Sequence, residues 1–250
     1  MDDPRRARPG DAVTGPEVVA GAVVYIVGST LQGVVGFGAN LFAVPILALI
    51  DPGFVPGPVL IVNPLLSGLY TWRERGHADH SGLRWALTGR VPGIAIGILA
   101  LGAVSEDRLG VLFGVLLLVA MALRLVGVSP RRTPGTLLAG GCLSGFMGTA
   151  VGVGGPPIAL LYHDAPGPVL RATMSPYFLV GTVASVAALA ASGHFGVDDL
   201  LLGLCLVPAV LIGVALSNPL RGMLDRGWVA RGVYGLSSAA AVALLVQSLA

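Results

Sequence analysis

Lysine is absent from these 250 residues; all 15 basic side chains are arginine. Charge of either sign is scarce, at 11% of the chain, less than half the share in a soluble domain. So few ions cannot clothe a water-soluble globule, and no nucleic-acid partner is expected. Only two cysteines occur, Cys142 and Cys205, both inside apolar stretches. They read as small packing residues, not as a disulfide or a metal pair. His77, His80, His163 and His194 fall in or beside loops without metal-ligand spacing. There is no HExxH, no Ser-His-Asp set at a common depth, and no Gly-Lys-Ser/Thr after the glycine runs. The glycines of GVVGFG sit in a membrane-length apolar run, not in a βαβ unit. An enzyme is therefore not expected, and no cofactor is implied. No acidic residue lies deep in an apolar segment, where a proton or sodium carrier would sit; Asp51, Asp107, Asp164, Asp198 and Asp199 mark boundaries.

What the chain has instead is apolar length. Hydrophobic residues make up 54% of it, and the mean hydropathy is +0.84. They fall into blocks of roughly 18 to 25, enough to cross a hydrocarbon core of about 30 Å. The reading is an all-α, polytopic transmembrane bundle in the cell membrane. Residues 1–16 form a polar lead expected to be disordered, with no evident cleavable signal.

A shift of 112 residues aligns Gly33 with Gly145, Gly36 with Gly148, Pro45 with Pro157, and Asn63-Pro64 with Ser175-Pro176. With a small gap, Val91-Pro92 meets Val207-Pro208. This ordered series predicts two homologous repeats, 17–128 and 136–250, joined by a linker at 129–135. Each half reads as one apolar segment (17–37; 134–150), a short one (40–50; 153–163), then three longer ones (55–72, 83–104, 107–127; 166–192, 198–217, 228–249). Arginines cluster at 73–84, 131–132, 171 and 221–231, whereas 192–199 has none. If basic loops face the cytoplasm, five segments per half place these clusters inside and make the repeats inverted, with both termini outside; Arg5, Arg6 and Arg8 run against this, beside Asp2, Asp3, Asp11 and Glu17. A four-plus-four arrangement with parallel repeats is the alternative.

Each short segment follows a glycine-rich interruption, LQGVVGFGANLFAVP in the first half and LSGFMGTAVGVGGPP in the second. Broken backbone survives in a bilayer only where it is buried in protein or lines a wet cavity. A helix beginning there turns free N–H groups and a positive dipole end toward that cavity, which suits an anion. Gly36, Gly38, Gly152, Gly154 and Gly155 allow close approach, and Pro156 fits a first helical turn. Nearby polar groups are Gln32, Asn40, Asn63 and Ser67, with Ser144, Thr149, Thr173, Ser175 and Tyr177 in the second half. Asn63 and Ser175 occupy matching positions, each before proline. Arg90 is the one charge well inside a long segment, at an insertion cost of about 2.5–3.5 kcal/mol. It either neutralises an anion or snorkels to the nearby loop. The stripe Gly89, Gly93, Gly97 fits plain helix packing, with Cys205, Ala209 and Gly213 as its counterparts.

GVVGFGANLFAVPIL and SGFMGTAVGVGGPPIALLY, followed by RATMSPYF, resemble the signature stretches of the sulfite exporter TauE/SafE family, in the toluene-sulfonate uptake permease group. The likeness spans residues 17–249, although Gly38-Ala39-Asn40 stands where a fuller glycine triplet is common. It implies a plasma-membrane transporter of small, often sulfur-containing anions such as sulfite, sulfonates or sulfoacetate. A passive anion channel on the same scaffold is the alternative, and self-association is left open.

Overall fold

The computed structural model describes residues 13–35, 38–73, 76–104 and 130–220, with scattered positions between 111 and 122 and between 235 and 246. Most of the segments expected at 107–127 and 228–249, most of the polar lead, and part of the linker lie outside the described residues. Within them the elements are α1 (Gly15–Val35), α2 (Ala39–Ile50), a 3₁₀ turn (Pro52–Phe54), α3 (Gly57–Arg73), α4 (His80–Ala103), α5 (Pro134–Val151), α6 (Gly155–Leu161), α7 (Gly167–Ala191) and α8 (Val197–Leu220). Four of these, α1, α4, α7 and α8, are long and apolar enough to cross a membrane.

Local chemistry sets the helix starts. The Asp79 carboxylate accepts from the Gly82 N–H at 2.9 Å and caps α4. Thr133 and Thr136 cap each other's backbone at the head of α5, with Pro134 in its first turn. Pro156 and Pro157 open α6. Prolines stand inside α2, α3, α4, α7 and α8, a residue more frequent in membrane helices than in soluble ones.

Contacts at the helix ends define two faces. On one, Arg132 pairs with Asp164 at 3.1 Å, Tyr162 donates to Asp79 at 2.9 Å, and Arg73 donates to Asn218 at 2.9 Å. Arg84 and Arg171 stand near the starts of α4 and α7, which begin at this face, and Arg131 adjoins Arg132. Burial, reinforced by the hydrogen bond to Asp79, holds the Tyr162 phenol well above its ordinary range, so it stays a neutral donor. On the other face, Asp199 abuts Gly57, Val13 abuts Gly53, and His194 approaches Gly102. Glu17, Asp51 and Asp198 belong to this acidic face.

The chain's path follows. The α1/α2 hairpin enters and returns at the acidic face, and the α5/α6 hairpin does so at the arginine face. Helices α3 and α8 run from the acidic to the arginine face, and α4 and α7 run the other way. Helix α4 packs on α5, α1 on α8, and α3 between α7 and α8. The glycine stripe works as packing: Gly89 and Gly93 lie against the carbonyls of Leu138 and Cys142 on α5, and Gly141 and Gly145 reciprocate against those of Ala86 and Arg90. At the other pair, Gly213 lies on the Ile26 carbonyl and the Thr30 hydroxyl donates to the Gly213 carbonyl at 3.1 Å.

Candidate functional site

Both interruptions turn on a glycine in the left-handed region, Gly38 at φ 102° and Gly152 at φ 72°, where a side chain would be strained. Ala39 lies against Gly28, 13 residues into α1 and so about 20 Å from its start. The first break therefore sits deep within the bundle. Side chains hold each break open. Gln32 accepts from the Ala39 N–H at 2.8 Å, filling one of the donors at the head of α2. Ser144 donates to the Gly154 carbonyl at 2.5 Å. The breaks also touch one another: Asn40 Nδ2 donates to the Gly152 carbonyl at 2.9 Å, across 112 residues of sequence. Tyr25 steadies the other end of that amide from 3.4 Å.

Between the breaks lies a pocket of about 520 Å³ of atom-free space, its open mouth included. Of the expected residues, Gly38, Asn40, Asn63, Arg90, Gly152, Gly154, Gly155 and Pro156 line it, as do Gln32 and Ser67. Gly36 lies outside the described residues. Thr173 and Ser175 line no part of the pocket. The Thr173 hydroxyl accepts from the Asp79 N–H at 3.0 Å near the arginine face, and Ser175 donates to the Arg171 carbonyl of its own helix at 2.9 Å. Phe178 and Thr182 on α7 complete the wall and were not expected. One signal could have found Thr182: Ser175, Thr182 and Ser185 recur along one side of an otherwise apolar helix.

Arg90 does not snorkel. It is 2% exposed, and its guanidinium carbon lies 4.9 Å from the centre of the Tyr177 ring. Nε and Nη1 are buried without a hydrogen-bond partner, and no carboxylate pairs with it among the described residues. The pocket thus combines one buried cation, helix ends and neutral amide and hydroxyl groups. That set attracts an anion and can hydrogen-bond its oxygens. Among the described residues no group of three His, Cys, Asp or Glu could hold a metal.

A probable sulfite/organosulfonate exporter TauE of Cupriavidus necator is 26% identical over 206 residues, covering 78% of each chain. No solved structure matches the chain. The sequence profile of the family described as sulfite exporter TauE/SafE matches residues 20–244. The chain is a multi-pass cell-membrane protein, and it belongs to the sulfite exporter TauE/SafE family of membrane transporters.

Proposed function

We propose that the pocket binds one small sulfur oxyanion, such as sulfite or an organosulfonate, and that the protein carries it across the cell membrane by alternating access. The observation that carries this reading is Arg90. A buried cation left without a counter-ion costs several kcal/mol, and such a residue in a membrane interior marks a solute pathway. An arriving oxyanion supplies the missing partner through charge-assisted hydrogen bonds. Asn63, Ser67 and Thr182 add neutral donors, and the N–H groups at the head of α2 add a dipole end worth about 0.3–1 kcal/mol.

The same reading makes the two halves an inverted duplication. Hairpins entering from opposite faces, the matched pairs α4/α5 and α1/α8, and the Asn40–Gly152 contact at the 112-residue offset all support it. Equivalent residues meet only near a symmetry axis. The arginines gathered on one face support a cytoplasmic orientation for that face.

Reconstitution into proteoliposomes tests the reading. Uptake of radiolabelled sulfite should saturate and show counterflow, and Arg90→Ala should abolish it. Linear flux without counterflow would replace the carrier by a channel, and full transport by Arg90→Ala would remove the site. A cysteine introduced at His194 should react with an impermeant maleimide from outside, and one at His77 should not. The opposite pattern would eliminate the inverted scheme.

A further inference from the structure

The Arg90 side chain runs through a slot between α5 and α7. On the α5 side, an alanine methyl at Gly145 would stand 3.0 Å from Arg90 Cγ, and one at Gly148 would stand 3.1 Å from Nη2. On the α7 side, a methyl at Gly181 would overlap Nε, Cδ and Cζ of the same side chain. One helical turn earlier, the Tyr177 ring meets the guanidinium at 4.9 Å. That ring is itself fixed, fully buried and edge-on to Phe178 with centroids 5.3 Å apart. Just beyond the slot the Thr149 and Ser185 hydroxyls hydrogen-bond at 2.9 Å, tying α5 to α7 at this width. Buried arginines are ordinarily fixed by carboxylates or carbonyls that consume their N–H groups. Here the head is held by shape and by an aromatic face, a contact that uses no N–H.

We infer that Tyr177 and Gly181 are the positioning residues of the transport site: they hold the Arg90 guanidinium at the pocket wall while leaving its donors unspent for the anion. The inference rests on the proposed role of Arg90. Gly181 supplies the volume the guanidinium occupies. Tyr177 supplies the π face, which attracts a cation without competing for its hydrogen bonds. Its hydroxyl is buried with no hydrogen-bond partner, so the ring and not the phenol oxygen performs this task.

The test uses full-length protein in proteoliposomes, with sulfite and methanesulfonate as probes and thermal melting as the check on folding. Gly181→Ala and Tyr177→Leu should each raise KM about tenfold or more, with maximum rates kept within about twofold. Tyr177→Phe retains the ring and should leave KM within about twofold of wild type. A merely structural role would instead lower the rate and the melting temperature together without raising KM. Should Gly181→Ala fail to reach the membrane, the Tyr177 pair decides alone. If Arg90→Ala abolishes binding but Tyr177→Leu keeps the wild-type KM, the positioning role is overturned and the site survives. If Tyr177→Phe behaves like Tyr177→Leu, the hydroxyl is itself a ligand and the division of labour argued here is wrong. If Arg90→Ala binds both probes normally, the site and this inference fall together.

Discussion

The two interrupted hairpins occupy corresponding places in the chain but solve the same problem differently. The first turns at Gly38 and opens a helix of 12 residues. Its leading N–H is already bonded to Gln32, but Asn40 and Leu41 follow with N–H groups that no preceding carbonyl of the helix can reach. The second turns at Gly152 and opens a helix of only 7 residues whose next two positions are Pro156 and Pro157. Proline carries no N–H. The second helix end therefore offers a wall more than a set of donors, and its rigidity comes from Gly154, wedged between the Ser144 carbonyl and Gly148. Similar sequence punctuation thus makes one end that donates and one that shapes. The fixed charge comes from neither, since Arg90 stands on α4.

Neighbouring glycines of the second break separate shape from site, and substitution there should have the largest effect. A methyl at Gly154 would stand 2.6 Å from the Ser144 carbonyl, whereas one at Gly155 meets only Phe178 at 3.7 Å. Gly155→Leu should insert and melt like wild type while its side chain fills the pocket, lowering sulfite transport by about a hundredfold or more, since every anion contact in the pocket is blocked. Gly154→Leu should lose transport and also about 1–3 kcal/mol of stability, because backbone cannot yield to it. Wild-type flux through Gly155→Leu would show that the solute passes elsewhere.

Much of this organisation was legible in the chain. The short segments expected at 40–50 and 153–163 appear as Ala39–Ile50 and Gly155–Leu161, and the long ones that lie among the described residues fall within a few residues of their expected bounds. Apolar length and glycine punctuation are local signals, so they survive without knowledge of packing. The side of a helix that meets the pocket is not local. Asn63 and Ser175 match at the 112-residue offset, but Asn63 reaches the pocket while on α7 that task falls to Phe178 and Thr182. The offset fixes a residue's place in the repeat, not which side or which stretch of a helix meets the pocket after packing: Ser175 shares the side of Thr182 on α7 but stands about two turns nearer the arginine face. Arg90 shows the same limit: its depth was evident, but its turn inward toward Tyr177 depends on Gly181, 91 residues away in sequence.

Asn40 is the bridge between the two breaks, and cutting it should have an intermediate effect. Asn40→Leu leaves the Gly152 carbonyl buried without its donor, at a cost of about 1–3 kcal/mol. The melting temperature should fall by roughly 2–12 °C, at about 2–4 °C per kcal/mol for a chain of this size. Gln32→Leu frees only one N–H at a half-buried helix end and should cost about 1 kcal/mol. If Gln32→Leu proves the more destabilising, the tie between hairpins matters less than the cap within one of them.

The smallest effect should come from giving the second break what it lacks. Pro156→Ala restores one N–H in the first turn of α6, at a residue that lines the pocket. A new donor at a helix head should strengthen sulfite binding by about twofold to fivefold, the equivalent of 0.3–1 kcal/mol. The same change frees the unfolded backbone and should lower stability by about 0.4–1 kcal/mol. Binding and melting should therefore move in opposite directions, measured on one purified variant by titration calorimetry and a thermal scan. Unchanged affinity would mean that α6 presents only surface to the anion even when it carries a donor, leaving the first break and Arg90 as the whole of the polar site.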